Sequence, residues 1–167
     1  MNSKIRALCT VSLPYPRIGA GKPDRRCAGM VMVPYIGQGG ELASVMQYHY
    51  SYLICRRRRL NVMADVFACI AETELTHMNL LGDLIFALDG VPDFRFADAR
   101  GRFAMLGDSP ERLLAAAISG EERSIRGYRR LIETAENPAV TEMAERIILD
   151  EERHLAIFRK LLSERGG

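Results

Sequence analysis

The sequence carries almost no net charge: 23 Lys and Arg stand against 21 Asp and Glu, a balance of +2 over 167 residues. So slight an excess sets up no long-range field to recruit nucleic acid or an anionic membrane surface. No apolar run approaches the roughly 20 residues that a membrane span needs. The N-terminal Lys4 and Arg6 are followed by a short stretch, Ala7 to Leu13, that stops at Pro14 and does not read as a signal peptide. Only four cysteines occur, Cys9, Cys27, Cys55 and Cys69, and no two of them form a C-x-x-C pair. That spacing argues against a zinc ribbon, a rubredoxin-type iron centre and a disulfide framework, and it points to a reducing cytoplasm. There is no strand signal of useful length. No Ser-His-Asp or Cys-His nucleophilic set is visible, so hydrolysis is not favoured. What is present, 48% hydrophobic residues in one domain's worth of chain, suffices for a real core.

Residues 1–36 differ from the rest. Pro14, Pro16, Pro23 and Pro34, with Gly19, Gly21 and Gly29, exclude a long helix or a central strand. An extended arm is expected here, with a short helix from Asp24 to about Val33 that Pro34 ends or kinks. Such an arm cannot fill a bundle core and is suited to wrapping a neighbouring subunit. Residues 37–165 read as helical almost without pause. Helix A runs from about Gln38 to Arg59, and helix B from about Asn61 to Leu88, where Gly90 and Pro92 stop it. After a connection over 90–108, Ser109 and Pro110 supply an N-cap and a first helical residue for helix C. Helix C reaches about Ala135, Asn137 and Pro138 break the chain, and helix D ends near Ser163. Short A–B and C–D joints with one long B–C crossover predict an all-α four-helix bundle of two antiparallel hairpins.

The decisive residues interrupt the apolar seams. In helix B, steps of three and four give Met63, Phe67, Ile70, Glu74, His77, Leu81, Leu84 and Leu88. Helix D repeats this with Val140, Ala144, Ile147, Glu151, His154, Phe158 and Leu161. Residues three apart on a helix point the same way, so each Glu-x-x-His pair converges on one inward spot. Helices A and C each add a carboxylate on the seam, Glu41 and Glu121, and each has a Tyr seven residues on, Tyr48 and Tyr128. The chain therefore reads as a duplicated hairpin packed about a pseudo-twofold axis.

Four carboxylates buried together are prohibitive unless cancelled, since even one unpaired buried charge costs several kcal/mol. Two divalent cations balance them charge for charge, and two imidazoles complete the donor set. This matches the pattern of di-iron and di-manganese carboxylate bundles. Oxygen and imidazole donors without thiolate favour iron or manganese over structural zinc. The predicted metal ligands are Glu41, Glu74, His77, Glu121, Glu151 and His154.

From Glu41 to Leu162 the chain resembles the ferritin-like superfamily, in particular bacterioferritins, rubrerythrins and manganese catalases. The E-L-x-x-x-x-Q-Y entry at Glu41, the first E-x-x-H and the I-L-D-E-E-R-H run ending at His154 resemble bacterioferritin. Tyr15-Pro16 and the segment Tyr35 to Ala43 look more like small manganese catalases. The resemblance implies the same six ligands and suggests Asp150 as an acceptor that orients a ligand histidine. Leu75 stands where bacterioferritin carries its haem-binding Met, so no haem is expected. Ser124 stands where rubrerythrins carry an extra carboxylate.

Other features have plainer readings. Tyr48 and Tyr128 are either donors to ligand carboxylates or amphipathic core fillers. His49 lies off the seam and reads as a surface residue. Arg56 to Arg59 complement the helix dipole rather than mark a nucleic-acid patch. Gly37-Gln-Gly-Gly40 is a helix entry, not a phosphate cradle, and Cys55 and Cys69 read as packing. The functions implied are redox chemistry on hydrogen peroxide or dioxygen, of catalase or peroxidase type. The alternatives are iron oxidation resembling bacterioferritin and a non-catalytic module held by its metals. The families it resembles suggest a homo-oligomer.

Overall fold

A computed structural model describes residues 8–19, 22–94 and 108–165. Its elements are α1 (Arg25–Ile36), α2 (Glu41–Arg57), α3 (Asn61–Ala87), α4 (Pro110–Thr134) and α5 (Pro138–Ser163). No strand occurs among the described residues. No helix among them is long and apolar enough to cross a membrane.

Helices α2 to α5 correspond to A to D and form the predicted four-helix bundle. Their ends follow local chemistry. The Ser109 side chain accepts from the amide of Arg112 at 3.2 Å, and Asn137 accepts from Ala139 at 3.1 Å. Pro110 and Pro138 each open a helix, where the missing N–H costs nothing. Helix α2 pairs with α3 across a tight turn, and α4 with α5 likewise. Segment 95–107, most of the expected B–C crossover, lies outside the described residues.

The N-terminal region departs from expectation in two ways. Asp24 caps α1 by accepting from Cys27 N at 2.9 Å, but the helix continues through Pro34 to Ile36. Pro34 removes only one late donor, and the next turn closes through Gly37 N to the carbonyl of Val33 at 3.0 Å. Gly40 then starts α2 where a Cβ would lie 2.4 Å from the carbonyl oxygen of Pro34, so only glycine fits this close approach. Second, α1 does enter the core: Cys27, Ala28, Val31, Met32, Tyr35 and Ile36 are buried against its own bundle. An apolar face of this kind has too much to lose by staying in water.

The cysteine expectation is corrected outright. Cys9 and Cys69 form a disulfide with Cα atoms 6.2 Å apart, so Cys69 is more than packing. Sequence spacing could not show it, because the bridge spans 60 positions that only tertiary folding brings round. The bond also removes the ground on which a reducing cytoplasm was expected.

Two apolar clusters fill the bundle. One holds α1 with Leu81, Leu84, Ile85, Met143 and Ile147. The other holds Phe67, Ile70, Leu113, Leu114 and Phe158. Between them lies a layer of buried polar groups to which all four bundle helices contribute.

Candidate metal centre

The layer contains Glu41 from α2, Glu74 and His77 from α3, Glu121 from α4, and Glu151 and His154 from α5. All six are at most 2% exposed. Their seam positions aim them inward because three-residue spacing on α3 and α5 keeps each Glu and His on one face. Two groups of donors result. Glu41, Glu74, His77 and Glu151 form one, and Glu74, Glu121, Glu151 and His154 form the other. Within each group one donor atom per residue lies within 4.8 Å of all the others. A cation holding such donors at about 2.1 Å would leave opposite ones about 4.2 Å apart, so the spacing suits one ion per group. Glu74 and Glu151 belong to both groups and are the residues able to bridge.

The histidines show which atoms are available. His77 Nε2 lies 3.1 Å from Asp150 Oδ2, and His154 Nε2 lies 2.8 Å from the carbonyl oxygen of Cys9. Both partners are acceptors, so each Nε2 carries the proton and each Nδ1 faces the cluster. With the protons so placed, neither Nδ1 has a hydrogen-bond partner, and neither do Glu41 Oε2, both oxygens of Glu74, or Glu151 Oε2, although His154 Nδ1 lies only 3.0 Å from Glu74 Oε1. Six buried atoms without partners, all facing one space, are what a donor set for cations requires. The residues present fit the expected pair of metal ions.

Both tyrosines donate to carboxylates of the cluster, and they pair across the two halves. Tyr48 donates to Glu121 Oε1 at 2.5 Å, and Tyr128 donates to Glu41 Oε1. Ser124 donates to Glu151 Oε1 at 3.2 Å. Asp150 acts on His77 of α3, not on His154 of its own helix. It also accepts from Thr10 Oγ1 at 2.9 Å, Val11 N at 2.7 Å and Tyr15 Oη at 2.7 Å, and pairs with Arg146 at 2.9 Å. Arg146 in turn donates to the carbonyl oxygens of Val11 and Leu13 and stacks over the Tyr15 ring. Thr10, Tyr15 and Arg146 escaped sequence reasoning. The one available sign was Arg146 lying four residues before Asp150 on a single helix face.

Protonation reflects the crowding. Burial, reinforced by the Glu74 carboxylate, holds Glu41 well above the usual carboxylate range. Burial and Glu151 do the same to Glu121. Burial raises Glu74 too, but the adjacent Glu41 carboxyl and the His154 and His77 imidazoles outweigh it and leave Glu74 below its ordinary value. Burial lowers His154, yet Glu151 and Glu74 overcome it and push it up to about 9. His77 is likewise raised, against burial, by Asp150 and Glu41. Without metal, protons occupy the positions that cations would take.

His49 is exposed and packs on Tyr52 at a ring distance of 5.9 Å, away from the cluster. Arg56 reaches Tyr52 Oη at 2.8 Å, and Arg58 pairs with Asp108 at 2.5 Å on the surface.

A bundle of four helices with this inward Glu and His set defines a ferritin-like protein. The Ferritin-like domain profile matches residues 38–165, and the chain belongs to that family. No curated protein sequence matches it significantly. Among solved structures it is similar to the bacterioferritin of Rhodobacter capsulatus, a structure described with a metal-free dinuclear site and haem iron. The two share 21% identity over 88% of this chain and 91% of that one, with a TM-score of 0.77. It is also similar to KatB, a manganese catalase from Anabaena PCC7120, at 21% identity and a TM-score of 0.78, covering 93% of this chain and 79% of that one. These likenesses are of fold.

Proposed function

We propose that the chain is a dinuclear manganese or iron carboxylate protein that carries out redox chemistry on hydrogen peroxide or dioxygen. The observation that carries this reading is the set of six unpartnered donor atoms enclosed in the bundle. Glu41 and His77 would hold one cation, Glu121 and His154 the other, and Glu74 and Glu151 would be shared between them. Bound together, two such ions supply capacity for a two-electron change.

The chain's own residues do the rest. Asp150 and the Cys9 carbonyl hold the two imidazoles with Nδ1 facing inward. Tyr48 and Tyr128 keep their protons, because burial and the adjacent carboxylates raise both phenols well above their ordinary range. They hold the Glu121 and Glu41 carboxylates in place. Apolar residues on either side exclude bulk water.

A groove of about 860 Å³ between α1, the start of α2 and α4 supports an entry route, since Ser124 and Tyr128 line it. Arg123, Arg126 and Arg130 line the groove against Glu133 alone, which disfavours a cation as the arriving substrate. This feature favours neutral peroxide or dioxygen over ferrous iron. Self-association is part of the same reading, supported by exposed Met46, Tyr50 and Leu53 along one face of α2.

The test is elemental analysis of natively purified protein together with an oxygen-evolution assay on peroxide. Two metal ions per chain with peroxide turnover are expected. Protein loaded with both ions that only oxidises and accumulates ferrous iron would move the assignment to the iron-handling alternative. Loaded protein inert to peroxide, dioxygen and ferrous iron alike would leave a metal-stabilised module.

A further inference from the structure

The segment from Leu8 to Tyr15 runs beside α5 and takes part in the support of both histidines, through Asp150 for His77 and through the carbonyl of Cys9 for His154. Its middle is held several times over: Thr10, Val11 and Tyr15 bond to Asp150, and Arg146 grips the carbonyls of Val11 and Leu13. Its outer end is held differently. Cys9 is bonded through sulfur to Cys69 on α3, and its carbonyl accepts from His154 Nε2 at 2.8 Å. Beside it Leu8 is 57% exposed, and its carbonyl accepts from Arg153 Nε of α5.

We propose that the Cys9–Cys69 disulfide is a positioning device for the His154 half of the centre, so that the thiol–disulfide state of this pair sets how firmly that half holds its cation. This role rests on the dinuclear metal reading of the centre. The carbonyl of Cys9 fixes the imidazole by accepting its Nε2 proton, which leaves Nδ1 free to bind. A carbonyl can orient a ring only if it is itself held in place. The disulfide ties it to α3, the helix that also carries Glu74, a donor in the same group as His154.

Cutting the bond releases Cys9 from α3, while Arg153 still holds the carbonyl of Leu8 and Asp150 and Arg146 keep the middle in place. The His77 half is then undisturbed. In the reductive direction a dithiol supplies two electrons and two protons: the S–S bond breaks, both cysteines become thiols, and the dithiol becomes a disulfide. Hydrogen peroxide runs the reverse, taking two electrons and two protons from the thiols and leaving as two waters.

The test is site-resolved metal occupancy in crystals of wild type, Cys69→Ser and Tyr15→Phe at limiting Mn(II), read by anomalous scattering. Loss of an outer support of this kind typically weakens a metal site about 10–100-fold. Cys69→Ser should therefore deplete the position beside His154 and spare the one beside His77. Tyr15→Phe, acting through Asp150, should do the opposite. If Cys69→Ser does not fold, wild-type crystals before and after reduction with a dithiol give the same comparison. Equal depletion of both positions, or of neither, on breaking the disulfide overturns the proposal. Wild-type protein that takes up no Mn(II) at either position instead overturns the metal reading itself.

Discussion

The hydroxyl of Tyr48 donates to Glu121 at 2.5 Å across 73 positions of sequence. Tyr128 makes the reciprocal bond to Glu41. Each half of the duplicated chain thus steadies a carboxylate of the other, so the centre exists only when both hairpins are docked. Removing either hydroxyl strands a buried carboxyl oxygen, which typically costs about 1–3 kcal/mol. Tyr48→Phe and Tyr128→Phe should each destabilise by that order, and by similar amounts. Urea unfolding measures it; a change within experimental error in either variant would contradict the pairing.

Glu74 and Glu151 belong to both donor groups, whereas Glu41 and Glu121 belong to one each. Glu74→Ala should therefore lower the metal content from two ions per chain to less than one. Glu121→Ala should leave about one. Equilibrium dialysis against Mn(II) with elemental analysis separates these outcomes, and Glu74→Ala protein that keeps two ions would show the ligand assignment to be wrong.

The raised groups make opposite pH predictions for metal-free and metal-loaded protein. His154 has a folded value of about 9 against an unfolded one of about 6.5. It therefore contributes stability that is fully present below about pH 6.5 and lost as pH rises through 9. His77, Glu41 and Glu121 are raised as well and act in the same sense. Glu74 and Asp150 are depressed, so their contribution is lost only in acid and is flat over this window. Metal-free protein should melt at progressively lower temperature from pH 6.5 to 9. Cation binding must displace these protons, so the increment in Tm from added Mn(II) should grow over the same range. Scanning calorimetry with Mn(II) and with chelator checks both signs.

Asp150 is fully buried and is the acidic partner of Arg146, which is only 6% exposed. Asp150→Asn leaves that guanidinium buried without a counter-charge, a change that typically costs about 3–5 kcal/mol. It also loosens Thr10, Val11 and Tyr15 together. Limited proteolysis should then cut first within residues 8–15, and protection equal to wild type there would refute the role given to Asp150.

Helix ends and inward carboxylates were legible because they are local. A Ser-Pro or Asn-Pro start and a Glu-x-x-His interval act within one or two turns, and periodicity reveals which face they share. The same logic left Pro34 either to end the helix or to kink it; the bond from Gly37 to Val33 and the burial of Tyr35 and Ile36 carry the helix onward past the proline.

By itself the sequence determined four helices, a duplicated Glu and His pattern, and the need for something to cancel four buried carboxylates. Only the tertiary structure decided that Glu74 and Glu151 are the shared pair, that Asp150 serves His77, and that Cys9 joins Cys69 beside His154. The physical reason is range. Helical propensity and burial patterns are set by neighbours a few residues away, whereas these pairings span 60 to 145 positions and arise only when packing brings distant segments to the same place.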